Sequence, residues 1–214
     1  MPEAGRPLSV GVLAVQGDFA AHRRILGQLG AEPTEVRVPE DLETVDGLVI
    51  PGGESTTMTM LMDRMGLSAA LRQALAEGLP ALGTCAGMIV LADRIIDGLP
   101  DQRGLNTLDI AVRRNGYGRQ LDSFEADLEV SGLEGGSFPA VFIRAPVVVE
   151  AGSAEVLATH EGRPVALRQG SVMALAFHPE LSGDLRLHRE FLRLVENVPH
   201  RPPSAARGEA RRGG

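Results

Sequence analysis

The sequence predicts an α/β fold with a doubly wound, mostly parallel central sheet, flanked by helices and with added antiparallel hairpins. In residues 9–97, short apolar runs alternate with segments whose apolar residues recur every three to four positions. This is the pattern of strands alternating with helices around a parallel sheet. After about residue 97 the apolar runs become shorter and turn residues separate them, which is typical of hairpins. The length of 214 residues suits a single domain with a substantial core.

The first half of the chain predicts four strands and three helices. Residues 9–15 form a nearly continuous apolar run, as expected of a strand buried on both faces. Asp18 can cap the helix that follows; its apolar stripe includes His22, and it ends at Gly30. The other predicted strands cover residues 34–38, 45–50 and 80–84, and the other helices cover residues 56–65 and 67–77.

The second half predicts shorter strands, a last amphipathic helix and a tail. Leu185 and His188 are expected on the inward face of that helix, and the tail is rich in Pro, Arg, Gly and Ala. We therefore expect an N-terminal extension at residues 1–8, one domain at residues 9–198 and a disordered tail at residues 199–214. The strands cover residues 108–113, 124–130, 140–143, 155–159, 165–169 and 172–177, and the helix covers residues 182–195.

Composition and charge narrow the possible chemistry. A net charge of −7 argues against nucleic acid or an anionic membrane as the main partner. The single cysteine excludes an intrachain disulfide, and the five histidines show no ligand spacing, so we expect no metal. All 21 basic residues are arginine, so this chain has no lysine for a Walker-type phosphate loop or for Schiff-base catalysis. Because no signal-type or bilayer-spanning apolar run is present, we expect a cytoplasmic protein.

Cys85 stands in the pentapeptide Gly-Thr-Cys-Ala-Gly at residues 83–87, directly after the fourth predicted strand. Gly-x-Cys-x-Gly is the thiol form of the nucleophile elbow, a sharp strand-to-helix turn where flanking side chains would clash. A lone cysteine is also often a small buried apolar residue, so the pentapeptide alone leaves both interpretations open. Since parallel strands end at one edge of a sheet, we expect Cys85 to lie near Gly52 and Gly53, which follow the third strand.

A cysteine nucleophile needs a base, and the base needs a group that orients its ring. His178-Pro179-Glu180 follows the last predicted strand. Residues two apart in an extended chain project to the same side, so Glu180 would reach the ring of His178. The adjacent pair His160-Glu161 lies in a predicted turn, where the two side chains would diverge. We therefore predict a triad of Cys85, His178 and Glu180.

The tetrahedral intermediate of acyl transfer also needs hydrogen-bond donors for its oxyanion. By the elbow geometry, the backbone N–H of Ala86 would be one donor. The Gly52-Gly53 pair is the candidate for the second, because glycine can turn its peptide toward the site. The Pro-Gly-Gly sequence is equally consistent with a simple tight turn.

Seven stretches of the sequence resemble the glutaminase subunits of pyridoxal 5'-phosphate synthases, and the resemblance runs from about residue 10 to residue 197. The Cys, His and Glu elements are shared by all triad-type glutamine amidotransferases. The PGGEST, NxxGRQ and FIRAP elements are more particular and point to the vitamin B6 branch. The stretches are residues 12–17 (VLAVQG), 51–56 (PGGEST), 83–88 (GTCAGM), 114–120 (RNGYGRQ), 123–125 (SFE), 142–146 (FIRAP) and 177–180 (FHPE).

The resemblance implies a class I glutamine amidotransferase-like, flavodoxin-like fold and a cofactor-free glutaminase. Cys85 would be the nucleophile, His178 the base and Glu180 its orienting carboxylate. The enzyme would convert L-glutamine to L-glutamate and ammonia through a thioester. The implied glutamine-binding residues are Gly53, Glu54, Ser55, Arg114, Ile143 and Arg144, and the implied oxyanion hole comprises Gly52, Gly53 and Ala86.

The resemblance also implies a protein partner, a synthase subunit that receives the ammonia and makes pyridoxal 5'-phosphate. Docking of that subunit is implied to rearrange the Gly52-Gly53 peptide and to activate the glutaminase. The absence of lysine fits this division, since imine chemistry on sugars calls for a lysine. Two alternatives remain from the residues alone: a glutaminase subunit of another pathway, such as the histidine or anthranilate branch, or a non-enzymatic thiol-bearing α/β protein that senses oxidants.

Overall fold

The fold alternates strands and helices in a computed structural model that describes residues 6–99, 102–114, 116 and 123–198. Two short 3-10 helices cover Pro39–Glu43 and Pro179–Leu181. The α-helices are α1 (Phe19–Gln28), α2 (Ser55–Arg64), α3 (Leu67–Ala76), α4 (Ala86–Leu91) and α5 (Arg186–Asn197). The strands are β1 (Ser9–Leu13), β2 (Glu32–Val36), β3 (Gly47–Ile50), β4 (Ala81–Thr84), β5 (Ala92–Ile95), β6 (Leu108–Arg113), β7 (Ser123–Leu128), β8 (Phe138–Ile143), β9 (Val147–Glu150), β10 (Glu155–His160), β11 (Arg163–Gln169) and β12 (Val172–Leu175).

Within the described residues, a seven-stranded central sheet has the order β10-β11-β12-β4-β3-β1-β2. The strands from β12 to β2 pair in parallel, whereas β11 and β10 are added antiparallel. The parallel part has the 2-1-3-4-5 order of flavodoxin-like sheets, with β12 as the fifth strand. The predicted fold class, a doubly wound and mostly parallel α/β sheet with antiparallel additions, is therefore confirmed.

Burial explains why these strands were recognisable in the sequence. Every residue of β1, β3, β4 and β12 is buried. Because successive side chains of a strand point to opposite faces, both faces of the sheet must be covered along these strands. Their sequences are accordingly apolar runs rather than alternating patterns.

The antiparallel additions are arranged differently from the prediction. Within the part of the chain that the structure describes, only β10 and β11 join the central sheet; β5, β6 and β9 form a separate three-stranded sheet, in which β5 and β6 pair in parallel, and β7 and β8 form a two-stranded hairpin. Strands β5 and β9 were not predicted. Each has four residues, of which two are exposed, so neither carries an apolar run of recognisable length.

Helix α5 begins at Arg186, four residues later than predicted. Gly183 has a positive φ of 75° and interrupts the helical pattern, and the Asp184 carboxylate accepts a hydrogen bond from the N–H of Arg186 at 2.9 Å. Leu185 therefore stands before the helix, and Leu187 and His188 are the first buried residues on its inward face.

The predicted division of the chain into an extension, one domain and a tail stays a prediction. Residues 6–8 of the extension are described, and the guanidinium of Arg6 lies 2.9 Å from the carboxylate of Asp46. Residues 1–5 and the predicted tail at residues 199–214 lie outside the described residues. Among the helices that the structure describes, none combines the length and the apolar composition needed to cross a membrane.

Candidate active site

A cavity of about 400 Å³ lies at the carboxyl ends of β1, β3, β4 and β12. The structure brings every predicted site residue except Glu180 to its wall, and Glu180 lies behind His178. Gly17, Asp18 and Ile89, which are not among the predicted site residues, also border it. The lining residues are Gly17, Asp18, Gly52, Gly53, Glu54, Ser55, Cys85, Ala86, Ile89, Arg114, Ile143, Arg144 and His178.

Cys85 forms a strained elbow between β4 and α4. Its backbone has φ 49° and ψ −104°, a conformation that non-glycine residues rarely adopt. The N–H of Cys85 still pairs with the carbonyl of Leu175 at 2.8 Å, so the β4–β12 ladder continues up to the turn. A Cβ on Gly83 would lie 2.7 Å from the Gly87 oxygen, and a Cβ on Gly87 would lie 2.0 Å from the Ile50 oxygen. The two flanking glycines are therefore required by close packing of backbone, as the elbow pattern predicted.

His178 and Glu180 are in direct contact, as predicted. His178 Nδ1 lies 2.7 Å from Glu180 Oε1, and the N–H of His178 donates to the carbonyl of Val141 at 2.8 Å. The predicted reason was wrong, because the chain is not extended here. Pro179–Leu181 forms a 3-10 helix, and this turn carries the carboxylate back to the imidazole. The Glu180 side chain is only 1% exposed, against 13% for His178.

The environment favours a charged His178–Glu180 pair. Burial disfavours the imidazolium of His178, but its hydrogen bonds to Cys85 and Glu180 outweigh burial and raise its pKa to about 10. Burial likewise opposes the charged form of Glu180. The hydrogen bond from His178, together with the nearby His22 and His178 rings, holds the pKa of Glu180 below its ordinary value.

Gly52 packs directly against the pair of side chains at the centre of the site. A Cβ at this position would lie 2.5 Å from His178 Cε1 and 3.5 Å from the Cβ of Cys85. On the other side of the loop, a Cβ on Gly17 would lie 1.9 Å from the Gly52 carbonyl oxygen. The Gly52-Gly53 peptide is therefore held between the His178 ring and the loop after β1. This peptide is the candidate for the second oxyanion donor.

Glu54 caps helix α2 and is anchored by its neighbours. Its carboxylate accepts hydrogen bonds from the backbone N–H groups of Thr56 and Thr57 at 3.0 and 2.7 Å. Burial opposes ionisation, but these bonds and the Thr57 hydroxyl lower the pKa of Glu54 to about 2. The N–H of Glu54 donates to Gln16 Oε1 at 2.7 Å, so the loop after β1 also fixes the start of α2.

Arg114 reaches the cavity with its guanidinium already engaged. Its Nη1 donates to Thr56 Oγ1 at 2.6 Å and to Gln102 Oε1 at 2.8 Å, and its Nη2 lies 3.8 Å from Glu54 Oε1. Gln102 Nε2 in turn donates to the hydroxyl of Ser55 at 3.1 Å. No motif or spacing in the sequence marks Gln102 as a site residue. Of the stretch at residues 114–120, Asn115 and residues 117–120 lie outside the described residues.

Arg144 differs from Arg114 because its guanidinium is not engaged. It is exposed, and within the described residues it makes no hydrogen bond or ion pair, although it lines the cavity. Its φ of 44° places it in the left-handed region, the second strained non-glycine residue at the site. The preceding carbonyl, of Ile143, accepts a hydrogen bond from the Cys85 thiol at 3.7 Å.

A buried polar cluster, which was not predicted from the sequence, lies behind Glu180. His22 Nε2 lies 3.3 Å from Glu180 Oε2 and 3.3 Å from Thr84 Oγ1, and His22 Nδ1 lies 3.0 Å from Nε2 of His188. Both histidines and Thr84 are 0% exposed. The available signal was the position of both histidines on apolar helix stripes, where a polar side chain needs a buried partner.

The order of the site residues along the chain identifies the class. Serine hydrolases with a similar elbow have the order nucleophile, acid, histidine. Here the order is Cys85, His178, Glu180, with the acid two residues after the histidine and hydrogen-bonded to it. On a flavodoxin-like sheet, this order is that of the triad-type, class I glutamine amidotransferases, so the fold and the site together place the chain in that class.

Known proteins agree with this assignment. Residues 12–197 match the model of the SNO glutamine amidotransferase family. The chain is 56% identical over 192 residues to the pyridoxal 5'-phosphate synthase subunit PdxT of Acidothermus cellulolyticus. This alignment covers 87% of this chain and 93% of that protein. The chain is 55% identical over 189 residues to the subunit of the same name from Frankia alni, covering 88% and 95%. A crystal structure of a glutamine amidotransferase has a TM-score of 0.83 and 52% identity, covering 87% of this chain and 98% of that chain.

The chain belongs to the SNO glutamine amidotransferase family. The resemblance to glutaminase subunits of pyridoxal 5'-phosphate synthases, which the seven sequence stretches indicated, is therefore confirmed. The class I glutamine amidotransferase-like fold is confirmed as well.

Proposed function

We propose that this chain is the glutaminase subunit of a pyridoxal 5'-phosphate synthase, and that it supplies the ammonia used by a separate synthase subunit. The single observation that carries the proposal is the Cys85 elbow beside His178, whose ring is held at 2.7 Å by Glu180. The identity above 50% to PdxT subunits supports the choice of pathway.

In the proposed reaction, His178 already holds the proton given up by the Cys85 thiol, and the sulfur attacks the side-chain amide carbon of glutamine. The N–H groups of Ala86 and the Gly52-Gly53 peptide would bind the oxyanion that forms. When the intermediate collapses, the C–N bond breaks and His178 returns its proton to the leaving ammonia. A water molecule, deprotonated by His178, then attacks the thioester carbon, the C–S bond breaks, and glutamate leaves with the proton kept on His178.

The raised pKa of His178 supports its role as proton donor. A group whose pKa is about 10 keeps its proton near neutral pH and has it ready for the leaving amine. Glu180 does not border the cavity and touches His178 from behind, which suits an orienting group rather than a group that contacts substrate.

Glutamine would lie in the cavity between the loop after β3 and the end of the β7–β8 hairpin. We propose that Arg144 binds its α-carboxylate, because this guanidinium lines the cavity and is not engaged elsewhere in the described chain. Arg114 is already bonded to Thr56 and Gln102, which suits a role in holding the wall formed by Glu54 and Ser55. Gly53 and Ile143 would contribute backbone groups.

The proposal is tested with the chain and the synthase subunit, alone and mixed. We expect the mixture to hydrolyse glutamine much faster than the isolated chain and to form pyridoxal 5'-phosphate from glutamine. A mixture that does not consume glutamine, while a histidine-pathway or anthranilate synthase activates the chain, would favour the alternative glutaminase. A glutamine-mimicking electrophile that leaves Cys85 unmodified in every mixture would favour the non-enzymatic thiol protein. The cytoplasmic location expected from the sequence stays a prediction.

A further inference from the structure

The cluster behind Glu180 contains two buried histidines that the proposed reaction does not use. His22 comes from α1 and His188 from α5, and they meet beneath the 3-10 helix that carries Glu180. No group of three or more His, Cys, Asp or Glu among the described residues is arranged to hold a metal ion. The cluster is therefore a chain of hydrogen-bonding groups, and the protonation of each ring decides what it does.

The contacts define one consistent set of tautomers. An unprotonated Nε2 on His22 would place its lone pair 3.3 Å from a carboxylate oxygen of Glu180, so this nitrogen carries the proton, with the Thr84 hydroxyl oxygen as its hydrogen-bond partner at 3.3 Å. In a neutral ring, His22 Nδ1 is then an acceptor and receives the N–H of His188 Nε2 at 3.0 Å. His188 Nδ1 is left as a lone pair without a partner among the described residues. An unpaired buried lone pair costs less than an unpaired buried N–H.

Protonation of His22 would break this arrangement. The Nδ1–H of His22 would then need the lone pair of His188 Nε2. The proton of His188 would have to move to its own Nδ1, which has no acceptor among the described residues. Burial is the main reason that the pKa of His22 lies below its ordinary value. His178 lowers this pKa further, whereas Glu180 and Asp18 raise it. Burial and the neighbouring His22 lower the pKa of His188 to about 3. Both rings are therefore neutral near pH 7.

Glu180 uses its two oxygens differently. Oε1 accepts the strong hydrogen bond from His178, whereas Oε2 has no hydrogen bond of good geometry and has the Nε2 of His22 as its neighbour at 3.3 Å. A carboxylate that is almost fully buried needs compensation at both oxygens to stay ionised. Without His22, Oε2 would lose the N–H that lies nearest to it in the cluster.

We propose that His22 is a positioning residue, whose Nε2–H holds Glu180 ionised and oriented toward His178. This inference rests on the proposed function, since it assigns His22 a part in the glutaminase reaction. His22 touches neither the cavity nor the substrate and acts only through Glu180.

Asn and Gln variants of His22 give a matched pair. His22→Gln can place an amide N–H where Nε2 lies, whereas His22→Asn reaches only the Nδ1 side and keeps the contact to His188. His188→Leu serves as a control in the same cluster, because it leaves His22 and Glu180 in place. For the complex with the synthase subunit, kcat and KM for glutamine are measured from about pH 3 to about pH 9, together with thermal unfolding of each variant at each pH.

We expect His22→Asn to lower kcat about tenfold with KM changed by less than about twofold, because the contact of an N–H with the charged carboxylate is lost. Its acid limb should move to higher pH by about one unit, since Glu180 is protonated more easily. His22→Gln should restore most of both values, and His188→Leu should lower the unfolding temperature with the acid limb unchanged. An unshifted limb in His22→Asn, or an equal shift in His188→Leu, would overturn the inference.

A second measurement does not depend on activity or on a folded variant. Nitrogen-15 NMR of the histidine rings in the wild-type chain should show His22 protonated at Nε2 and bare at Nδ1 near pH 7. The opposite tautomer overturns the inference whatever the kinetics show. If the wild-type complex does not consume glutamine, the proposed function alone is refuted. If the wild-type complex is active and the His22→Asn complex has the same kcat and acid limb, the inference alone is refuted.

Discussion

Replacing Gly52 by alanine is the sharpest test of how tightly the site is built. The new Cβ would lie 2.5 Å from His178 Cε1, where ordinary contact begins at 3.4 Å, so the ring or the loop must move by about 0.9 Å. His178 cannot turn away freely, because Nδ1 is bonded to Glu180 and its N–H to Val141. A displacement of about 1 Å at a reacting group costs about 100-fold in rate, or about 2.7 kcal/mol in the barrier.

Gly27→Ala is the matched control for this variant. Gly27 lies in the last turn of α1, and a Cβ there would meet nothing within 4 Å, so this change should leave activity unaltered and stabilise the helix by about 0.5 kcal/mol. Glutamate release by the complex with the synthase subunit is measured for both variants, with thermal unfolding as the check on folding. If folded Gly52→Ala retains a kcat within about twofold of the wild type, the contact between Gly52 and His178 does not constrain the reaction.

Three further predictions concern the triad, its pH dependence and the arginines. Cys85→Ala and His178→Asn should each abolish glutamine consumption by the complex, whereas added ammonium salt should still support pyridoxal 5'-phosphate formation; normal glutamine turnover in either variant contradicts the triad. The pKa of His178 is raised from 6.5 to about 10, so its contribution to the free energy of unfolding is full below about pH 6.5 and is lost as pH rises toward 10. That loss should be smaller in Cys85→Ala, as measured by urea unfolding at about pH 6 and about pH 10. Arg144→Ala should raise KM about tenfold or more with the unfolding temperature unchanged, whereas Arg114→Ala should lower the unfolding temperature because it releases Thr56 and Gln102.

The parallel part of the fold could be predicted because its strands are buried on both faces. Residues of β1, β3, β4 and β12 are all buried, so each strand is a continuous apolar run bounded by turn residues. The small sheets could not be assigned in the same way. Strands such as β5 and β9 are half-exposed and only four residues long, and their partners lie far away in sequence. Which hairpin joins the central sheet depends on tertiary packing that no local pattern encodes.

Local constraints explain why the core of the site was predictable. The glycines around Cys85 are required by backbone contacts within a few residues or on the next strand, and Asp18 caps α1 as expected. Contacts between segments that are distant in the sequence produce no local sequence pattern from which they could be predicted. His22 and His188 are 166 positions apart, and Gln102 reaches Ser55 across 47 positions. A histidine on an apolar helix stripe indicates that a buried partner exists, but the sequence does not say which one.

Backbone strain at the site is supported by one set of contacts. Cys85 and Arg144 both have positive φ and both line the cavity, and such conformations cost about 1–3 kcal/mol each and persist only where packing enforces them. Strand β8 connects the two positions: its Val141 carbonyl accepts the N–H of His178, and its Ile143 carbonyl accepts the Cys85 thiol immediately before Arg144. A change that shifts β8 would therefore move the base, the nucleophile and the arginine proposed to bind the carboxylate together. This coupling explains how a hairpin outside the central sheet can be part of the site, although every triad residue follows or adjoins a central strand.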